Sequence, residues 1–289
     1  MTFAANHGTV SPSTTPAGPK PFRRILLTGA SGGLGRVLRD RIKPWADVVR
    51  LSDVADLGPA GPGEETVQCD LADKAAVLAL LDGVDAVLHF GGISVDAPFD
   101  DILQANIIGT ANLYEALHKA GTRRVVFASS NHAVGFYPTT EVIDANDAPR
   151  PDSMYGISKC FGETLSRYYY DRFGIETVCL RIGSCFAEPT DARMLVTYLS
   201  YDDLVEALRC ALFTPSVGHT ILFGMSANPA AWWDNRRATH LGYQPRDSSA
   251  PFAANLPPRA TYPGATADGR GITYHGGNFP LTGPRYTAD

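Results

Sequence analysis

Tyr155 and Lys159 are two side chains, four positions apart, that can move a proton. Both fall near the start of a predicted helix, Met154–Phe173, where residues i and i+4 share one face. A tyrosine with an ordinary pKa of about 10 is a poor base at neutral pH, and a neighbouring ammonium favours the phenolate and lowers that pKa. The pair therefore predicts a tyrosine that takes the proton from a substrate hydroxyl. The same spacing also occurs on helices that have no chemical role.

Two further polar residues can assist this proton transfer. Ser130 follows the predicted strand Arg124–Ala128 and can hydrogen-bond the reacting oxygen. Asn106 lies on the preceding long helix, Ile102–Ala120, where its amide can hold a helix distortion or a water that passes protons toward the lysine. An ordinary polar residue on a helix is the alternative interpretation of Asn106.

A glycine-rich turn joins the first predicted strand to the first predicted helix. Gly29, Gly32 and Gly35 are spaced so that backbone N–H groups and the helix N-terminus can cradle a pyrophosphate. Asp53 ends the second strand, where a carboxylate accepts hydrogen bonds from an adenosine ribose and repels a 2′-phosphate. The pattern predicts a dinucleotide site that prefers NAD to NADP, and the alternative is a structural turn followed by a solvated aspartate. Within the turn, contacts to the cofactor are also expected from Ser31, Gly33 and Leu34.

Residues after the next two strands extend the expected cofactor site. Asp70 can bond the adenine amino group while Leu71 packs on the ring, although Asp70 can equally cap the following helix. Phe90 and Gly91 follow the fourth strand, where glycine lets the cofactor lie close to the backbone. The lysine of the proton-transfer pair can hold the nicotinamide ribose, and the positive nicotinamide further favours the phenolate.

Strands alternate with helices along residues 23–181, and each strand is mostly apolar on both faces. Such strands belong to parallel sheets that are covered on both sides and joined by right-handed crossovers. The sequence therefore predicts a doubly wound (Rossmann) α/β fold with ligands at the carboxyl ends of its strands. The predicted strands are Arg23–Thr28, Val48–Asp53, Thr66–Cys69, Ala86–Phe90, Arg124–Ala128 and Thr177–Arg181, and the helices not yet given are Gly33–Lys43 and Lys74–Leu81.

The 289 residues suit one domain with a small appendage. Residues 1–21 are rich in Ser, Thr, Pro and Gly, lack the pattern of a secretory signal, and are expected to be a disordered extension. Residues 22–289 are expected to form the NAD-binding domain, with a C-terminal cap over the substrate at about 185–289. Within the cap the pattern predicts a helix at Tyr201–Leu212, a strand at His219–Phe223 and a helix at Ala230–Leu241 that carries Trp232 and Trp233.

Composition excludes several classes of function. A net charge of −5 gives no general attraction to nucleic acid or to an anionic membrane. No stretch approaches the roughly 18 apolar residues of a membrane helix. Five cysteines without CxxC spacing indicate reduced thiols in a cytoplasmic protein. No cluster of His, Cys or carboxylates has metal-ligand spacing, so no metal is expected.

Taken together, the glycine turn, Asp53, Asn106, Ser130 and the Tyr155/Lys159 pair resemble the extended branch of the short-chain dehydrogenase/reductase superfamily over roughly residues 23–240. Within that branch, the chain resembles the uronate dehydrogenases. The runs of unusual residues that carry this closer likeness are 69–73, 91–95, 127–132, 155–163, 181–185 and 226–235.

The resemblance implies oxidation of the anomeric C1 hydroxyl of galacturonate or glucuronate to an aldarolactone, with NAD as the hydride acceptor and the tyrosine as general base. It also implies that Arg193 clamps the substrate carboxylate, whereas the sequence alone favours a surface charge there. His132, otherwise a loop histidine, becomes a partner of sugar hydroxyls. A homo-oligomer is expected, since related enzymes pair through helices that flank the sheet. The substrate contacts implied are Ser94, Ser130, Asn131, His132, Tyr155, Ser184 and Arg193.

Two other functions share part of this pattern. A sugar-nucleotide epimerase with tightly held NAD has the same glycine turn and Tyr/Lys pair, but usually carries a larger C-terminal part than the roughly ninety residues that follow Arg193. A non-enzymatic dinucleotide sensor often lacks the Tyr/Lys pair, which is present here.

Overall fold

Seven strands form one sheet in which every neighbouring pair runs parallel, in the order β10-β7-β5-β4-β1-β2-β3. The computed structural model describes residues 20–256 and 273–281. The strands of the sheet are β1 (Phe22–Thr28), β2 (Ala46–Asp53), β3 (Glu64–Gln68), β4 (Ala86–His89), β5 (Arg124–Ser130), β7 (Glu176–Ile182) and β10 (His219–Gly224). Two-stranded pairs are formed by β6 (Ile143–Asp144) with β11 (Trp233–Asp234) and by β8 (Ser184–Cys185) with β9 (Tyr198–Leu199).

Helices cover both faces of this sheet because its strands are apolar on both faces. Ile25 and Leu27 point into a core with the helices at 33–41 and 201–213, whereas Leu26 points into a second core with the helices at 74–80 and 109–120. This is the doubly wound fold that the sequence predicts. The helices are α1 (Gly33–Arg41), α2 (Lys74–Leu80), α3 (Phe99–Ile102), α4 (Gly109–Ala120), α5 (Met154–Phe173), α6 (Met194–Thr197) and α7 (Tyr201–Phe213). Within the described residues, no helix is long and apolar enough to span a membrane.

The long helix predicted at Ile102–Ala120 is interrupted. A π-helical stretch, Leu103–Ile108, lies between α3 and α4, and Asn106 is buried within it. Such stretches mark places where one helix must change its hydrogen-bond pattern, frequently at functional sites.

The prediction of a helix at Ala230–Leu241 is wrong for its first half. Trp233 instead lies in β11, and a 3₁₀ helix follows at Arg236–Leu241. The indole of Trp233 is buried and stacks on Phe223, and the Asn235 amide bonds both the N–H and the carbonyl of Phe223. These contacts with β10 hold the segment extended, against its helical periodicity.

The expected cap at about 185–289 includes two elements that complete the Rossmann layer instead of covering the site. Strand β10 pairs with β7 at the edge of the sheet, and α7 packs into the core beside α1. Two parts of the chain lie outside the described residues. They are most of the expected N-terminal extension, residues 1–19, and part of the expected cap, residues 257–272 and 282–289.

Candidate active site

A cavity of about 740 Å³ opens at the carboxyl ends of the parallel strands. It is lined by every residue proposed from the sequence except Asn106, namely Gly29, Ser31, Gly32, Gly33, Leu34, Gly35, Asp53, Asp70, Leu71, Phe90, Gly91, Ser94, Ser130, Asn131, His132, Tyr155, Lys159, Ser184 and Arg193. Residues spread over 165 positions of sequence are therefore brought to one place. Among the described residues, no group of three or more His, Cys, Asp or Glu is placed to hold a metal ion.

The turn between β1 and α1 requires glycine for steric reasons. Gly29 has a φ of +73°, and a Cβ there would lie 2.4 Å from the carbonyl oxygen of Phe90. A Cβ on Gly35 would lie 2.1 Å from the carbonyl oxygen of Gly29. Helix α1 starts after Gly32, and no side chain caps its first N–H groups. These free N–H groups at the edge of the cavity fit a pyrophosphate.

Two carboxylates that the sequence predicts to face an adenosine lie at the end of β2 and just after β3. Asp53 ends β2 and accepts hydrogen bonds from the N–H groups of Ser31 and Ala55, at 3.0 and 3.1 Å. The sequence left open whether Asp70 caps α2. Asp73 caps that helix instead, by accepting hydrogen bonds from the N–H groups of its first turn. Both Asp53 and Asp70 line the cavity, so both can face a bound cofactor.

Tyr155 and Lys159 lie side by side in the first turns of α5, whose N-terminus is capped by Ser153. The Lys159 ammonium lies 5.4 Å from the centre of the Tyr155 ring and 5.1 Å from that of Phe127. Both residues are less than a tenth exposed. Burial lowers the pKa of Lys159 to about 8, against a smaller opposing effect of Glu163.

Burial opposes the lowering of the tyrosine pKa that the lysine and the positive nicotinamide are expected to produce. Burial raises the pKa of Tyr155 to about 12, and a hydrogen bond with Ser130 opposes this only in part. The low dielectric around the phenol outweighs the neighbouring ammonium.

The turn after β5 presents Ser130 and His132 on the same side of the cavity as the tyrosine. Ser130 accepts a hydrogen bond from the His132 backbone N–H at 3.2 Å. The His132 ring lies 2.8 Å, Nδ1 to Oδ2, from the fully buried carboxylate of Asp152 and stacks on Phe279 with ring centres 3.9 Å apart. Burial lowers the pKa of His132 although Asp152 acts in the opposite direction, so the imidazole is neutral near neutral pH.

Arg193 brings a partly buried guanidinium into the cavity with no acidic partner bonded to it among the described residues. Its Nε donates to the His275 carbonyl at 2.7 Å and its Nη1 to the Ser184 hydroxyl at 3.2 Å. Its Nη2 donates to the amide oxygen of Asn131 at 2.6 Å, in the amide orientation that also lets Asn131 donate to a backbone carbonyl. Burial lowers the pKa of Arg193. A cation held by neutral acceptors at a cavity wall fits an anionic ligand.

Asn106 stands behind the cavity wall and ties two elements together. Its Oδ1 accepts from the N–H of Ile93 at 2.7 Å, and its Nδ2 donates to the Ile93 carbonyl and to the Ser158 hydroxyl, both at 2.9 Å. It therefore anchors the loop after β4 to α5 from within the π-helical stretch.

The sequence analysis did not predict three residues of the site. Asp152 fixes His132, Phe279 covers it, and His275 bonds Arg193. None of them follows a predicted strand or belongs to a recognisable motif, and no sequence signal marks them.

Known proteins with these features are similar to this chain over most of its length. Residues 25–201 match the family described as NAD dependent epimerase/dehydratase family. A uronate dehydrogenase from Pseudomonas putida is 55% identical over 265 residues, which is 91% of this chain and 98% of the relative. The crystal structure of uronate dehydrogenase from Agrobacterium tumefaciens superposes with a TM-score of 0.88 at 46% identity, covering 92% of this chain and 100% of that one. A mutant of that enzyme complexed with NAD superposes with a TM-score of 0.87 at 47% identity, covering 91% and 98%.

Proposed function

Because the chain belongs to the NAD-dependent epimerase/dehydratase family and, within it, to the uronate dehydrogenases, we propose that it oxidises the C1 hydroxyl of cyclic D-galacturonate or D-glucuronate to the aldarolactone. The observation that carries the substrate assignment is Arg193, whose guanidinium lines the same cavity as Tyr155 and is bonded to no carboxylate of the described residues. A sugar acid supplies both the anion that Arg193 lacks and the hydroxyl on which Tyr155 acts.

The glycine turn and the residues at its edge would hold NAD. The free N–H groups of α1 face the pyrophosphate position, and the Asp53 carboxylate favours ribose hydroxyls over a 2′-phosphate. The side of the cavity beside Asp70, Leu71, Phe90 and Gly91 suits the adenosine and the backbone-facing parts of the cofactor. When bound, NAD⁺ supplies the hydride acceptor and the positive charge of its nicotinamide.

Tyr155 takes the proton of the C1 hydroxyl as hydride leaves C1, so that the hydroxyl oxygen becomes the lactone carbonyl oxygen. Ser130 hydrogen-bonds the reacting oxygen and keeps it beside the phenol. Lys159 lies against the tyrosine ring and favours the phenolate as it forms. Burial raises the pKa of Tyr155 to about 12, so the phenolate would depend on the positive charge of Lys159 and of the nicotinamide.

Substrate orientation would follow from the other polar residues that line the cavity. Arg193 donates to the carboxylate on C5, and Ser94, Asn131 and Ser184 offer hydrogen bonds to the sugar. His132 donates its Nδ1–H to the Asp152 carboxylate, which leaves Nε2 of the neutral ring as an acceptor for a sugar hydroxyl.

A substrate panel tests this function. D-galacturonate, D-glucuronate, D-galactose and D-glucose are each offered with NAD⁺ and with NADP⁺, and NAD(P)H absorbance is followed. We expect turnover of the uronates with NAD⁺, and much slower turnover of the neutral sugars and with NADP⁺. Absence of turnover with every hexuronate would overturn the substrate assignment, and conversion of a nucleotide sugar without net cofactor reduction would point to an epimerase.

A further inference from the structure

We propose that His275 is a positioning residue for Arg193, and that the C-terminal strap, Thr273–Leu281, thereby belongs to the substrate site. The inference rests on the proposed function, in which Arg193 binds the substrate carboxylate. His275 is 82 positions away from Arg193 in sequence, yet its carbonyl oxygen accepts the Arg193 Nε–H at 2.7 Å. This bond is the shortest that Arg193 makes to a backbone atom in the described part of the chain.

The strap is fixed by backbone pairing with the segment that follows His132 in sequence. It runs antiparallel to residues 135–139, with a bridge between Pro138 and Tyr274. Three N–H to carbonyl bonds join the two segments, from Thr139 to Thr273, from His275 to Tyr137 and from Gly276 to Gly135, at 3.0, 2.9 and 2.9 Å. The segment that carries the His275 carbonyl is therefore held on both sides of it.

The imidazole of His275 fixes the same carbonyl from inside the protein. Trp233 donates its indole N–H to Nδ1 of His275 at 3.3 Å, and Nε2 lies 3.2 Å from the Glu141 carbonyl. One neutral tautomer, with the proton on Nε2, satisfies both contacts. The ring also stacks on Trp232, with centres 5.0 Å apart and planes within 6°. His275 is fully buried.

A continuous set of contacts thus runs from the central sheet to the guanidinium. Phe223 of β10 stacks on Trp233, Trp233 bonds His275, and His275 bonds Arg193. Trp232 and Trp233 thereby support the imidazole of His275, although the cofactor chemistry does not use them. An arginine fixed before the substrate arrives loses less rotamer freedom on binding, which raises affinity for the carboxylate.

Steady-state kinetics of three single variants of the full-length protein test the inference first. His275→Phe keeps a ring that can stack on Trp232 but loses both hydrogen bonds, and Trp233→Phe removes only the indole donor. We expect each to raise the KM for D-galacturonate about 10–100-fold, with a smaller change in kcat and an unchanged Kd for NAD⁺ measured by calorimetry. Trp45→Phe, a matched change of a buried indole that precedes β2 at the opposite end of the strands, should leave all three values unchanged.

Arg193→Met, alone and combined with His275→Phe, separates an effect of His275 on the position of Arg193 from a general loss of order in the site. If His275 acts through Arg193, then His275→Phe adds no further rise in KM once Arg193 is absent. Additive losses, or a normal KM in both His275→Phe and Trp233→Phe, would overturn the inference while leaving the proposed function intact. A normal KM for D-galacturonate in Arg193→Met alone would instead overturn the assignment of Arg193 on which the inference depends.

Discussion

Replacing Lys159 by methionine should abolish efficient turnover and yet make the folded protein more stable at neutral pH. Lys159 is 7% exposed, and no carboxylate lies within ion-pair distance of its ammonium in the described part of the chain. Its pKa falls from 10.5 to about 8 because burial disfavours the charged form. Methionine has a similar length and volume and needs no hydration, so it fills the same space without that penalty.

The size of the effect follows from the two pKa values. A difference between 10.5 and about 8, at about 1.4 kcal/mol for each pKa unit, corresponds to about 3 kcal/mol. Methionine also forgoes the two contacts of the ammonium with aromatic rings, at about 0.5 kcal/mol each, which leaves a gain of about 2 kcal/mol. Between about pH 8 and pH 10.5 the unfolded chain binds the proton that the folded protein has lost, so the stability of the wild type rises with pH through this window. The gain from Lys159→Met is therefore complete below pH 8 and declines as the pH approaches 10.5.

Urea unfolding of both proteins at about pH 7 and about pH 10 measures this difference. Lys119→Met is the control, because Lys119 is half exposed on α4 and pairs only with Glu115 of the same helix. It should change stability by less than about 0.5 kcal/mol at either pH. Equal stabilities of wild type and Lys159→Met at pH 7, or a gain that is undiminished at pH 10, would refute the reasoning.

Three further variants test separate parts of the site. Tyr155→Phe should lower kcat by about 10²–10⁴-fold with NAD⁺ affinity retained, and near-normal turnover would remove Tyr155 as the base. Asp53→Asn should raise kcat/KM with NADP⁺ relative to NAD⁺ by at least about tenfold, because the carboxylate that repels a 2′-phosphate is gone; an unchanged ratio contradicts that role. Asn106→Ala removes three hydrogen bonds to Ile93 and Ser158 and should destabilise the fold in urea by about 2–3 kcal/mol, whereas a neutral result would show that the anchor is dispensable.

The parts of the fold that sequence reasoning predicted are those whose local pattern has one physical cause. In β1, Ile25, Leu26 and Leu27 are consecutive apolar residues because helices cover both faces of the sheet. The carboxyl ends of parallel strands meet at one edge, so residues that follow different strands, such as Asp53 and Ser130, line one cavity. The assignment of the strands alone therefore predicts that most residues of the candidate site lie together.

The parts that were missed depend on contacts between distant segments. Trp233 fits a helical period, but its contact with Phe223 holds it in an extended strand. His275 shows no pattern of its own, and only the folded chain reveals its bond to Arg193. The burial that raises the pKa of Tyr155 has no signal in the sequence either, because spacing on a helix reports the neighbouring lysine but not the depth of burial.

The buried charges around Lys159 leave its ammonium without a bonded carboxylate among the described residues. Glu163 lies four positions further along α5, where it could pair with Lys159 across one helical turn. Both of its carboxylate oxygens are instead taken by Arg181, at 2.9 and 2.8 Å, and one also accepts from Ser129 at 2.6 Å. Arg181 takes both oxygens of Glu163, so Lys159 forms no ion pair among the described residues, and burial lowers its pKa although Glu163 acts in the opposite direction. Lys159 and Arg193 thus give the cavity wall two buried cations to which no carboxylate of the described residues is bonded, which costs stability and, in the proposed function, favours the binding of an anionic sugar.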